Sequence, residues 1–236
     1  MIIDTYVIKK NKRTTIILLL ISFIIKMFWI YNFPITFYFD MNSVMDNANY
    51  FIGNTGFDLL YMKIYPFNNS ISLIDSVYLR LFNKEGAFLI GRIINVLMMV
   101  ITEYYIFKIT KKVSNSKLAN FTLFIMILFF PLTGYLVVVY NDMYALMFIS
   151  LSIYHFICLI ENENRKDFIL TILFLIIANW FRSIGMIIFL AFFMYYLIIN
   201  YKKAFKFIVI SIVSLLIFNS LNTFIFENIY GLKMDE

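Results

Sequence analysis

The sequence predicts an all-α, polytopic membrane protein of about seven transmembrane helices, with a large external segment after the first that carries short amphipathic helices. Three observations predict it. First, 62% of the 236 residues are hydrophobic and only 14% are charged, with a mean hydropathy of +0.84; soluble domains run near half apolar and a quarter charged. Second, several apolar runs reach the roughly 20 residues needed to cross about 30 Å of hydrocarbon. Third, these Leu, Ile and Phe runs do not alternate polar with apolar, as barrel strands would. In lipid the backbone must satisfy its own hydrogen bonds, so such runs read as helices.

The elements follow in order, within a single membrane domain. Residues 1–13 form a basic cytoplasmic N-terminus with Lys9, Lys10, Lys12 and Arg13. The first span, 14–32, has no small-residue cleavage site and reads as a retained helix rather than a signal peptide. The external segment, 33–86, is rich in Phe, Tyr, Ile and Leu, with Asp40, Asp46, Asp58, Asp75 and Glu85 against Lys63, Arg80 and Lys84. Within it, 45–51 and 71–82 have the spacing of amphipathic helices lying on the outer membrane surface. Six further spans occupy 87–226: 87–109, 118–140, 142–160, two short helices within 168–200, and 204–226. One helix over 168–200 would be about 50 Å long at 1.5 Å per residue, too long to cross without extreme tilt. The polar break at 179–182 divides it. Charge supports the division, because two passes put Arg165-Lys166 and Lys202-Lys203 on one face. Lys108, Lys111, Lys112 and Lys117 fall on that same face, which the positive-inside rule makes cytoplasmic. The tail, 227–236, is then external, and the membrane is the plasma membrane.

The net charge of +6 sits in short clusters between apolar runs. Topology explains it, and nucleic acid is not an expected partner. The lone cysteine, Cys158, excludes disulfide frameworks and cysteine metal sites. The lone histidine, His155, reads first as a packed helix residue. Lys26 reads as snorkelling to the outer interface. Glu103 reads as the partner of Lys108 or of a neighbouring helix. Arg92 and Asn95 lie one helical turn apart near the outer face, where Arg92 either snorkels or serves an external cavity. Asp40 and Asp46 are six residues apart and so not on one helix face. Asn141 and Asp142 open a span, where either would cap the helix. Arg182 sits in the turn between two short helices, where a guanidinium can hold a phosphate in bidentate fashion or anchor the turn. Phosphate loops, zinc spacings and Ser–His–Asp sets are missing, so chemistry here must run on carboxylates, Arg and Tyr at the outer face.

The order of these features resembles the GT-C superfamily of integral-membrane glycosyltransferases, which includes protein O-mannosyltransferase-like and aminoarabinose-transferase-like enzymes. The resemblance runs along nearly the whole chain. An acidic D-x-x-x-Y motif stands at Asp46 to Tyr50, with Asn54 where the family has Ala. A Tyr-Pro element stands at Tyr65-Pro66-Phe67, and R-x-x-N at Arg92 to Asn95. A basic turn follows at 111–119, then a mid-span Pro131, the pair Asn141-Asp142, and Arg182. The Asp-Glu doublet of some branches is absent, since Asn47 follows Asp46. The length matches the family's N-terminal membrane module, and further spans found in many members are missing.

The resemblance implies an inverting transfer of sugar from a polyprenyl-phosphate donor at the external face. It implies Asp46 as general base with Asp40 as rival, and Arg182 then Arg92 at the donor phosphate. It also implies Tyr50, Tyr65, Asn141 and Asp142 around the sugar or acceptor. No cofactor is implied beyond the lipid-linked sugar, and no divalent metal is required. The partners implied are membrane lipid, a protein or glycan acceptor, and a partner membrane subunit. Two other readings stand beside it: a non-catalytic membrane subunit, immunity or assembly protein, and a flippase or transporter of lipid-linked sugar.

Overall fold

The computed structural model describes residues 2–35, 40–53 and 58–229, and side chains from Arg13 onward except those of residues 59, 228 and 229. Asn54 and residues 230–236 of the expected external tail lie outside the described residues. Eleven α-helices and a closing π-type turn are described: α1 (Ile2–Asn32), α2 (Asp40–Tyr50), α3 (Leu59–Ile64), α4 (Asn68–Leu81), α5 (Lys84–Val113), α6 (Ser116–Leu128), α7 (Phe130–Tyr135), α8 (Asp142–Asn162), α9 (Arg165–Phe181), α10 (Gly185–Ile199) and α11 (Tyr201–Phe224). No strand occurs among them. Four stretches are long and apolar enough to cross a membrane: Arg13–Asn32, Lys84–Val113, Asp142–Asn162 and Tyr201–Glu227. Ser116–Leu128 and Gly185–Ile199 are apolar but shorter. The chain is a multi-pass helical membrane protein.

The outside of the bundle is apolar, as a lipid solvent requires. Ile24 and Phe28 of α1, Ile187 and Ile198 of α10, and Leu216 of α11 are all well exposed. Inside, α5 is the hub, packed against α1, α4, α6 and α8, while α8 and α9 form a tight hairpin. Phe156, Phe189, Phe192 and Phe207 fill the core among α8, α9, α10 and α11.

The segment 33–86 carries helices close to the expected 45–51 and 71–82, as α2 and α4, and adds α3 between them. Helix α4 is inverted relative to a soluble amphipathic helix. Its polar side (Asn68, Asn69, Ser72, Asp75, Ser76) is buried, and Val77 and Leu81 face outward. Ser72 donates to the Val44 carbonyl of α2, tying the two helices together.

The span expected at 118–140 is not one helix. α6 ends at Leu128, and Pro131 opens the short α7, because proline supplies no N–H to a preceding carbonyl. The chain beyond Tyr135 leaves regular helix until Asp142, which frees backbone carbonyls among buried residues. These must find donors. Asn95 Nδ2 donates to Leu136 and Val138 carbonyls, at 3.1 and 2.8 Å. Arg92 donates through Nε to the Val137 carbonyl at 3.3 Å and through a terminal nitrogen to Ile35 at 2.9 Å. Gly91 permits the approach: a Cβ there would lie 2.7 Å from Val139 Cγ1.

The expected break at 179–182 is present but shifted to 182–184, between the end of α9 at Phe181 and the start of α10 at Gly185. Gly185 sits against the backbone of Asn179, where a Cβ would come within 2.9 Å of the amide nitrogen.

Two readings of single residues are corrected, and the reading of Glu103 is decided in favour of its neighbouring-helix alternative. Lys26 does not snorkel: its Nζ turns inward and donates to Glu103 Oε1 at 2.7 Å and Ser22 Oγ at 2.5 Å, with both charged side chains fully buried. An open carboxylate on the adjacent helix explains this, since the pair leaves no charge facing lipid. Glu103 therefore pairs with α1. Lys108 instead lies over Tyr105 and Tyr154. His155 is more than packing, because its Nδ1 meets Asp167 Oδ1 at 2.7 Å across the α8–α9 hairpin.

A polar candidate active site at one end of the bundle

The ends of α2, α3, α4, α7, α8 and α9 converge on one polar cluster. Helix α8 starts with Asp142 and α9 finishes just before Arg182, so the antiparallel hairpin puts these side chains together. Arg182 Nε donates to Asp142 Oδ1 at 2.5 Å, and the Tyr135 hydroxyl donates to Asp142 Oδ2. The pair is about 30% exposed, at 31% and 29%. Asp142 is thus bound on both oxygens, and Arg182 is aimed by one nitrogen. The two terminal nitrogens of Arg182 make no hydrogen bond among the described residues. The guanidinium carbon lies 5.0 Å from the Phe67 ring centre and 5.2 Å from that of Tyr140, within cation–π range.

A second part of the cluster is a net of neutral groups. Asn68, at the start of α4, donates through Nδ2 to the Tyr140 hydroxyl at 2.7 Å and the Tyr61 hydroxyl at 2.8 Å. Those hydroxyls are 3.3 Å apart. Asn141 Nδ2 donates to Asn68 Oδ1 at 2.9 Å, fixing the Asn68 amide. The expected capping role of Asn141 and Asp142 is not met: Asn141 makes no side-chain cap bond to α8, and both side chains serve the cluster. Asp40, exposed at the first turn of α2, acts electrostatically on both Tyr61 and Tyr140. Burial, then the Tyr140 hydroxyl, then Asp40 push the Tyr61 phenol far above its ordinary range, so it remains a neutral donor.

The expected site residues divide accordingly. Asp40, Asn141, Asp142 and Arg182 come together. Tyr65 is 42% exposed beside them, its ring centre 5.1 Å from Tyr61 and 6.1 Å from Phe67. Asp46 is exposed on another face of α2, and Tyr50 packs near Phe51 and Phe226. Arg92 is 8% exposed and engaged with the carbonyls of 137 and 35. Sequence reading missed Tyr61, Asn68 and Tyr135. The adjacent asparagines Asn68-Asn69 were the available signal, since a helix among apolar neighbours has no reason to open on two amides.

The family model for dolichyl-phosphate-mannose-protein mannosyltransferase matches residues 71–223, from α4 to near the end of α11. No curated protein and no solved structure matches the chain significantly. The matched region holds Tyr135, Tyr140, Asn141, Asp142 and Arg182, while Asp40, Tyr61, Tyr65 and Asn68 precede it. It also holds the Arg92–Asn95 clamp and the broken span that the clamp satisfies. With a match over more than half its length, the chain belongs to the dolichyl-phosphate-mannose-protein mannosyltransferase family, of the GT-C type of membrane glycosyltransferase.

Proposed function

We propose that the cluster transfers a sugar from a polyprenyl-phosphate donor to a hydroxyl of a protein or glycan acceptor at the external face of the membrane. The observation that carries this is Arg182: fixed by Asp142, bracketed by Phe67 and Tyr140, about a third exposed, and with no hydrogen bond from either terminal NH2 group among the described residues. A planar guanidinium with a spare edge suits phosphate recognition. The family name describes mannose on dolichyl phosphate as donor and protein as acceptor, which is the same chemical class.

In this reading Asp40 is the general base, because its charge acts on both Tyr61 and Tyr140 while that of Asp46 acts on neither. Its carboxylate takes the proton of the acceptor hydroxyl. The hydroxyl oxygen bonds to the anomeric carbon as the bond from that carbon to the phosphate oxygen breaks, with inversion. The lipid phosphate leaves with the electron pair, and Arg182 stabilises the charge gained there. Tyr135 and Asp142 are positioning residues that hold the guanidinium. Tyr65 and Asn141 border the sugar or acceptor. The seven-span topology, with a cytoplasmic N-terminus and α6–α7, α9 and α10 as the shorter passes, puts this cluster outside and the basic turns inside.

The test is sugar transfer in proteoliposomes carrying a polyprenyl-phosphate sugar. Asp40→Asn is expected to lower transfer by about 10²-fold or more, as loss of a general base does, while Asp46→Asn stays near wild type. The reverse result would return the base to Asp46. Undiminished transfer with both replaced would exclude a carboxylate base and favour a non-catalytic subunit or a transporter.

A further inference from the structure

At the opposite end of the bundle a cavity of about 630 Å³ opens between the α8–α9 turn and the start of α11. The 21 residues of α8 put it roughly 30 Å from Asp142 along the helix axis at 1.5 Å per residue. Its rim is basic, with Arg165, Lys203 and Lys206, and its wall is apolar, with Phe168, Ile169 and Ile210. Glu163 is the carboxylate on the rim, and it is already paired: Lys203 Nζ donates to its Oε1 at 2.5 Å. Arg165 and Lys206 are exposed and make no ion pair among the described residues. The N-termini of α9 and α11 both open at this end, at Arg165 and Tyr201, adding their positive dipole ends. Ile169, 53% exposed, continues the wall onto the lipid-facing surface.

Two unpaired cations above an apolar wall at a membrane boundary match one molecule: a phosphate head group with acyl chains attached. We propose that this cavity binds an anionic phospholipid, its phosphate between Arg165 and Lys206 and its chains along Phe168, Ile169 and Ile210. The occupant is a lipid rather than a free phosphate, because the wall below the cations is apolar and continuous with the bundle exterior. The site rests on the membrane fold alone and is independent of the transfer chemistry at the other end.

Native mass spectrometry of the full chain in detergent, titrated with phosphatidylglycerol, tests it. Wild type is expected to retain phosphatidylglycerol in preference to phosphatidylcholine. Arg165→Gln with Lys206→Gln is expected to weaken that retention about tenfold, the loss of about 1.4 kcal/mol of binding. The charge-matched pair Lys111→Gln with Lys117→Gln, at the same end but off the cavity, is expected to bind as wild type. Should the double variant unfold, Lys206→Gln alone, an exposed position, is expected to show a partial loss. Equal retention by the cavity variants, equal loss in the control pair, or no preference over phosphatidylcholine would overturn the proposal. So would displacement by inorganic phosphate at the lipid's own concentration, which would make this a free-anion site.

Discussion

Two ion pairs in this molecule use the same chemistry under opposite conditions. Lys26 and Glu103, between α1 and α5, are fully buried, and Ser22 completes their bonding by donating to Glu103 and accepting from Lys26. Arg182 and Asp142, at the bundle end, are about a third exposed, and two nitrogens of Arg182 make no hydrogen bond among the described residues. The first pair is closed: each charge has its partner, and a ligand has no access. The second is open on one side, aimed from behind by Tyr135 and flanked by aromatic rings. A charge in a membrane protein is therefore informative less by its presence than by which of its bonding positions the protein leaves unfilled.

The largest effect expected from this contrast is on stability. Lys26→Met leaves Glu103 as an uncompensated charge in an apolar core and should cost about 3–5 kcal/mol. Adding Glu103→Leu should restore most of that loss, because a well-packed apolar pair is often no worse than a buried ion pair. Denaturant melts in micelles would show it, and a double variant no better than the single one would mean the pair does more than hold α1 to α5. The converse applies at the open pair. Arg182→Lys should leave the melting temperature within a few degrees yet lower transfer by about 10²-fold, since a lysine cannot present a planar donor edge to phosphate.

A smaller effect sharpens the boundary between the two classes. Asp75 on α4 is 1% exposed, and neither carboxyl oxygen has a hydrogen-bond partner among the described residues. Burial pushes its carboxyl well above the ordinary carboxylate range. A raised carboxyl is stabilising only while protonated. In the unfolded chain Asp75 ionises from about pH 4, so folding stability falls as pH rises from there to the raised value. Asp75→Asn should remove that slope: little change in melting temperature near pH 4 and a gain of a few degrees at pH 8. A melting temperature equally pH-dependent in wild type and variant would place the titration elsewhere.

The sequence made the membrane class, a break close to 179–182 and the two helices of the 33–86 segment legible, because apolar run length and polar interruption are local properties. What it could not show was pairing between distant positions. Lys26 and Glu103 are 77 residues apart, and nothing in either helix names the other. The unwinding after Pro131 was hidden for a related reason: residues 132–139 are mostly apolar and read as one continuous span, so the carbonyls that need Arg92 and Asn95 became visible only with the turn itself. The Arg92–Asn95 motif is engaged with that irregular backbone. Between the two acids of α2, spacing said only that they face different ways. The fold brings the charge of Asp40 to bear on Tyr61 and Tyr140.

The most direct measurement is photocrosslinking with a polyprenyl phosphate carrying a reactive group near its head, followed by mapping of the labelled residues. Labels on Phe67, Tyr140 and the 182–184 turn, reduced in Arg182→Gln, are the predicted result. Labels concentrated instead around Arg165 and Lys206, unchanged in Arg182→Gln, would contradict the assignment of the donor phosphate to the open pair.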